Sequence, residues 1–260
     1  MPIAIITGGN SGIGKAIAVT FASRGYDIGL TWHEDETNLQ EALSECRGHG
    51  VRADAEHMDL DTPDPAELPE RSLPISRLID ALGGVDVFVN NAGAGHHSSF
   101  LETGIERFVR VLNLDLVGAF ACLQRVANRM VEQQRGGRLI AITSVHEHVP
   151  LEGSTAYVSA KHGLGGLVKG MALELAEHGI TVNAVAPGEI ATGMTGQEDE
   201  DPAGTSRPGI PAGRPGRAVE VASAVAWLAE PDARYATGQS FVIDGGMLLM
   251  GAMANQLVSD

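Results

Sequence analysis

Thr7-Gly8-Gly9-Asn10-Ser11-Gly12-Ile13-Gly14 is the stretch on which the fold turns. It follows the apolar run Ile3 to Ile6 and opens onto Lys15-Ala16-Ile17-Ala18, so the chain passes from strand to helix through glycine. Gly8, Gly12 and Gly14 permit a tight turn and a close approach of backbone. A helix starting here presents free N–H groups to an anion such as a pyrophosphate. An ordinary strand-to-helix turn also uses glycines, so the rest of the chain decides what this one means.

Outward from that turn, β-rich runs recur at Asp27 to Thr31, Val51 to Met58, Val85 to Val89, Arg138 to Thr143, Thr181 to Val185 and Ser240 to Ile243. Helical period fills the intervals: Gly12 to Ser23, Thr37 to Gly48, Ile75 to Leu82, Ile105 to Gln134, Thr155 to His178 and Ala218 to Ala229. Strands alternating with helices predict an α/β Rossmann-type, doubly wound, seven-stranded parallel sheet with helices on both faces. Ligands then bind beyond the carboxyl ends of the strands, where the strand order reverses. One domain over 1–260 is expected. Thr62 to Pro74, with four prolines, reads as a surface connection. Gly188 to Arg217 is rich in Gly, Pro and acid, and reads as a mobile lid too polar to join the core.

Composition narrows the function. The net charge of −15 repels phosphate backbones, so nucleic acid is not an expected partner. The acidic runs Glu34 to Glu36 and Glu198 to Asp201 read as solvated edges. Cys46 and Cys122 are the only cysteines and have no metal-ligand spacing, which fits a reducing compartment. With neither a charged leader nor a long apolar run, a cytoplasmic enzyme with no membrane contact is expected.

The spacing Thr-Gly-x-x-x-Gly-x-Gly resembles the short-chain dehydrogenase/reductase family. The resemblance continues in order along the chain: Asn90-Asn91-Ala92-Gly93, then Tyr157-Val158-Ser159-Ala160-Lys161, Pro187-Gly188-x-Ile190-x-Thr192 and Asp244-Gly245-Gly246. It implies hydride exchange between a nicotinamide dinucleotide and an alcohol–carbonyl pair. The cofactor would be held by Gly8, Asn10, Ser11, Gly12, Ile13, Gly14, Trp32, His33, Asn91, Ala92, Gly93, Tyr157, Lys161, Pro187 and Gly188. Asp59 and Leu60 would flank the adenine, Asn90 would secure the sheet, and Ile190 and Thr192 would hold the carboxamide. Trp32 stands where NAD-dependent relatives carry an acid for the ribose. NADP(H) is therefore slightly favoured over NAD(H), and dual use is possible.

Tyr157 and Lys161 are four residues apart and share a helix face. Ser144 ends the fifth strand, and by resemblance Asn113 completes a tetrad of Asn113, Ser144, Tyr157 and Lys161. A free phenol titrates near 10, and making it a useful base near neutrality takes about 4 kcal/mol of preferential stabilisation of its anion. A neighbouring ammonium supplies this. Ser144 would bond the substrate oxygen, and Asn113 would hold a water that feeds protons to Lys161. The segment after Ser144 resembles that of bacterial glucose dehydrogenases and diketone reductases, so Ser144, His146, Glu147, Tyr157 and Met194 are the expected substrate contacts. His96 and His97 point to the pocket rim; no metal is expected, since no thiolate or spaced carboxylate completes a ligand set. Leu112, Leu116, Phe120 and Leu123 form an apolar helix face, and relatives of this kind imply a homotetramer. Two rivals share the motifs: a 3-oxoacyl thioester reductase of fatty-acid type, disfavoured by the acidic charge, and a non-enzymatic dinucleotide sensor, which would typically lack the tyrosine or lysine.

Overall fold

The computed structural model describes residues 1–95, 97–196 and 201–252. His96 and residues 198–200 of the acidic run lie outside the described residues.

Seven strands form one parallel sheet: β1 Ile3–Thr7, β2 Asp27–Trp32, β3 Ala53–His57, β4 Val87–Asn90, β5 Gly137–Ile142, β6 Ile180–Pro187 and, last in the chain, β9 Ser240–Ile243. Their spatial order is β3-β2-β1-β4-β5-β6-β9, so the order reverses between β1 and β4. Two short strands, β7 Ile190–Ala191 and β8 Gly216–Arg217, pair apart from it. The helices are α1 Gly12–Ser23, α2 Glu36–Gly48, α3 Leu68–Arg71, α4 Leu73–Leu82, α5 Ile105–Leu112, α6 Gly118–Gln133, α7 Thr155–Leu175 and α8 Ala218–Leu228.

Burial on both faces makes the central strands apolar at most positions, with the polar exceptions Thr7 and Asn90 at the ends of β1 and β4. In β1, Ala4 and Ile6 join Ile17, Phe21, Leu39, Val221 and Val225 in the core beneath α1, α2 and α8. Ile3 and Ile5 join Leu78, Leu123, Met130, Leu164 and Val168 beneath α4, α6 and α7.

Three expectations change. The helix expected over Ile105 to Gln134 is interrupted by a π turn at Asn113–Val117, which inserts an extra residue and rotates the remainder of the helix about its axis. The proline-rich Thr62 to Pro74 is more than a surface connection: α3 begins with fully buried Leu68, and Pro74 sits at the start of α4, where a missing N–H costs nothing. The segment from Gly188 to Arg217 does enter the core, through Ile190 and Ile210, which are 4% and 5% exposed.

Candidate active site

The ends of β1 and β4 are tied together by Thr7. Its hydroxyl oxygen accepts the N–H groups of Asn91 and Ala92, each at 2.9 Å. The Asn91 amide donates to the carbonyls of Thr7 at 3.0 Å and Gly8 at 3.1 Å. It is therefore Asn91, not Asn90, that secures the sheet here; the Asn90 side-chain oxygen is buried without a partner. Gly8 and Gly12 have φ of +62° and +51°, the left-handed region glycine tolerates. A Cβ on Gly14 would lie 2.0 Å from the Gly8 carbonyl oxygen. Only bare backbone fits this cradle, and α1 begins in it with its first N–H groups lacking helical partners. A dinucleotide pyrophosphate fits that shape and polarity.

The neighbouring residues complete a groove. Asn10 donates from its amide to the Glu34 carbonyl at 2.8 Å, while Ser11 is exposed and Ile13 half-buried. Trp32 meets His57 edge to face, and His33 Nε2 lies 3.5 Å from Asp59 Oδ1. Thr192 comes within 3.4 Å of where a Gly12 Cβ would be, so the strand after Pro187 and Gly188 faces the glycine turn. Gly188 lies against Asp244, and the Asp244 carboxylate accepts the N–H groups of Gly246 and Leu248. Leu60 and Ile190 are core residues, each 4% exposed.

Beyond this groove lies a cleft of about 650 Å³ lined by Gly93, Ala94, Gly95, His97, Leu151, Ser154, Tyr157 and Met194. Tyr157 and Lys161 stand one turn apart on α7. Lys161 is buried, its Nζ 5.4 Å from the Tyr157 ring centre and 3.5 Å from the Ile142 carbonyl. Ser144 is buried just past β5, and its hydroxyl oxygen accepts the His146 N–H at 3.1 Å, starting the short turn Val145–Glu147. That turn sets the His146 ring edge-on to Tyr157, with centroids 6.3 Å apart. Burial pushes the His146 imidazole below its ordinary value, so it is neutral around pH 7.

Two expected site residues are placed elsewhere. Glu147 is buried and accepts from the Ser240 hydroxyl at 3.0 Å, in space left by Gly165, where a Cβ would meet it at 2.2 Å. Its carboxylate is engaged with β9, away from the cleft. Asn113 donates its amide to the Thr62 carbonyl at 3.0 Å and its own carbonyl caps α6. Beside Lys161, the π turn puts Asp115 instead: a Cβ on Gly93 would lie 2.5 Å from Asp115 Oδ1 and 3.4 Å from Lys161 Nζ. Asp115 Oδ1 accepts the Ala94 N–H at 3.0 Å. An acid inside the apolar run Leu112 to Val117 was the one available signal for it. Leu151, Ser154 and Ala94 had none, being ordinary residues brought to the cleft by the loops that carry them. Among the described residues no three His, Cys, Asp or Glu side chains converge as a metal set.

A parallel sheet with a glycine cradle at its switch point and a Tyr–Lys pair on the helix after β5 defines a short-chain dehydrogenase/reductase. The family model described as enoyl-(acyl carrier protein) reductase matches residues 8–248, and the chain belongs to this family. It is 48% identical over 253 residues to the uncharacterized oxidoreductase YohF of Escherichia coli strain K12, covering 97% of this chain and 98% of that one. The solved acetoin dehydrogenase YohF from Salmonella typhimurium is 50% identical with a TM-score of 0.89, covering 95% of this chain and 96% of that one. A 3-oxoacyl-[acyl-carrier-protein] reductase of Synechocystis is more distant, at 37% over 248 residues, 95% of this chain and 97% of that one. The chain is thus an oxidoreductase that uses a nicotinamide cofactor to interconvert a carbonyl and an alcohol. Among the described residues no helix is long and apolar enough to cross a membrane.

Proposed function

We propose that the chain reduces, and in reverse oxidises, small polar hydroxyketones and diketones of the acetoin kind, with Tyr157 as the acid/base. The observation that carries this is Tyr157 on the wall of the cleft with buried Lys161 one turn away. A cleft of about 650 Å³ has room for a small-molecule substrate, and relatives at about half identity include acetoin dehydrogenases.

The glycine cradle, Asn91 and Thr192 would hold the dinucleotide, which when bound supplies or accepts the hydride. The remaining steps belong to the chain's own side chains. Ser144 bonds the substrate oxygen, Tyr157 gives that oxygen its proton in reduction and takes it in oxidation, and Lys161 stabilises the phenolate. His146 walls the phenol on one side, and Met194, 67% exposed, covers the cleft mouth from the lid and excludes water.

For the cofactor, Trp32 in place of an acid supports NADP(H) ahead of NAD(H). The carboxylates of Glu34 and Asp59 around His33 temper that preference and support dual use. A cytoplasmic homotetramer is the assembly the family resemblance supports. Of its expected apolar face, Phe120 is 43% exposed and available, whereas Leu123 is fully buried in the core.

The test supplies NADH and NADPH separately with acetoin, diketones, ketoesters, aldoses and 3-oxoacyl thioesters, and tracks nicotinamide absorbance. Turnover on the small ketones is expected, falling about 10³-fold in kcat/KM in Tyr157→Phe while dinucleotide binding is retained. Preference for the thioesters would overturn the substrate class. Tight dinucleotide binding with no turnover on any of them would leave a sensor.

A further inference from the structure

The edge of the sheet where the strands begin, opposite the cleft, holds two arginines that the chemistry of the site does not use. Arg138 is the second residue of β5 and is 8% exposed. Its Nη1 donates to the Gly137 carbonyl at 2.9 Å, but its Nε is buried with no hydrogen-bond partner. Arg234, exposed just past the turn Pro231–Ala233, lies close enough to push on its charge. Among the described residues neither guanidinium has a carboxylate partner. With 33 acidic against 18 basic residues, carboxylates are plentiful in this chain, so two neighbouring guanidiniums without one call for a reason.

The acids nearby are already taken. Glu230 is bonded to Arg24 at 2.7 Å, while Asp86 accepts the Ile3 N–H at 2.8 Å and lies 3.2 Å from Arg135. Donors are what remain. Thr181 pairs in register with Arg138, so both side chains leave the same face of the sheet, and the Thr181 hydroxyl makes no hydrogen bond among the described residues. Tyr26, packed on Phe21 just past α1, feels the charge of Arg138. Burial raises its phenol above the ordinary value, so its hydroxyl keeps its proton at pH 7. Burial also pushes the Arg138 guanidinium down, and Arg234 adds to the push. A negative charge set between the two arginines would relieve both effects.

We propose that Arg138 and Arg234, with the hydroxyls of Thr181 and Tyr26, form a binding site for a small oxyanion, a phosphate or a carboxylate, on the edge of the sheet opposite the dinucleotide. The planar fork of a guanidinium matches two oxygens of such an anion, and every group turned to it is a donor. The anion would tie the starts of β5 and β6 to the turn after α8. It touches no reacting group, so this site stands independently of the substrate class proposed above.

The test compares melting temperatures of the parent, Arg138→Gln and Arg234→Gln in sodium phosphate and in sodium chloride of equal ionic strength. Phosphate can also enter the glycine cradle; that share is common to the three chains, so the difference between parent and variant reads this site. In chloride, Arg234→Gln is expected to melt no lower than the parent, because it removes a like charge beside Arg138. In phosphate at about ten times the dissociation constant, the parent is expected to gain about 3 °C that both variants lack. Calorimetric titration should then count one phosphate fewer on either variant. Arg234→Gln, at an exposed position, carries the test if Arg138→Gln does not fold. Acetate in place of phosphate separates the sources: an equal gain in acetate assigns the site to carboxylates, a gain in phosphate alone to phosphate. Equal gains in all three chains, or none in any, would overturn the proposal and leave the arginines as cations beside the ends of α1 and α8.

Discussion

The glycine floor of the site and the segment from Gly188 to Arg217 differ in how tightly they are built. The floor, from the glycine turn to the end of β4, is backbone against backbone: a Cβ at Gly14 would sit 2.0 Å from a carbonyl, and one hydroxyl, that of Thr7, satisfies two N–H groups. The segment from Gly188 to Arg217 joins a few backbone bonds, such as the Ala212 N–H to the Gly245 carbonyl at 3.0 Å and the Gly216 N–H to the Glu189 carbonyl at 2.9 Å, to exposed side-chain pairs. Arg207 donates to Glu189 at 2.6 Å, and Arg214 grips Glu220 of α8 with two bonds of 2.9 and 2.7 Å. Ile190 and Ile210 of this segment are buried, at 4% and 5% exposed. A floor fixed by backbone geometry has no slack, which suits the dinucleotide cradle proposed for it. Half-exposed ion pairs part at little cost, which suits the role of lid proposed for this segment.

The contrast is broken most directly at Gly14. Gly14→Ala is expected to destabilise the fold by about 3 kcal/mol and to weaken dinucleotide binding by more than about tenfold, because the atom it meets is backbone and cannot swing aside. Thermal unfolding and fluorescence titration measure the two effects, and a variant that binds and melts like the parent would show that the floor has slack after all. Thr7→Val keeps the volume but leaves two buried N–H groups without an acceptor, so a loss of about 2 kcal/mol is expected in urea unfolding. Lid changes should be gentler. Met194→Ala is expected to raise KM for the carbonyl substrate by about threefold, with dinucleotide affinity unchanged, since Met194 lines the cleft and not the glycine cradle.

The smallest effect, and the one confined by pH, belongs to Glu220. Its bonds with Arg214 hold the carboxyl down at about 2, against an ordinary 4.5. A depressed carboxylate contributes stability that is complete above the ordinary value and is lost as pH falls toward the folded one. Glu220→Gln should therefore be less stable than the parent at pH 6, and the difference should vanish between about pH 4.5 and 2. Both partners are a third exposed, so solvent screens the pair and the deficit stays below about 1 kcal/mol. A deficit that persisted unchanged at pH 2 would mean that packing, not charge, ties the lid to α8.

Most of the architecture was legible because it rests on local rules. The seven strands, their alternation with helices and the parallel order all come from apolar runs and helical period, and the glycine turn announces the switch point. Tyr157 and Lys161 were legible for the same reason, since spacing of four on a helix puts two side chains on one face whatever surrounds them. Asn113 was not. A continuous helix through Ile105 to Gln134 offered no way to tell which of its polar residues faces α7, and the choice of Asn113 rested on resemblance. The π turn decided for Asp115, because one inserted residue turns the face by about 100°. Glu147 failed for a related reason: nothing local says that Gly165, on another element, leaves a hole for its carboxylate.

By itself, then, the sequence determined the layers, the cofactor cradle and the Tyr157–Lys161 pair, since each depends on residues near one another in the chain and on periodicities that survive any packing. Only the tertiary structure decided which polar side chains face the cleft. That depends on where separate elements leave room: Gly93 between Asp115 and Lys161, Gly165 beneath Glu147, and Asn91 rather than Asn90 across from Thr7. A buried polar group goes to the partner within reach, and reach between distant segments is set by how the helices and strands pack.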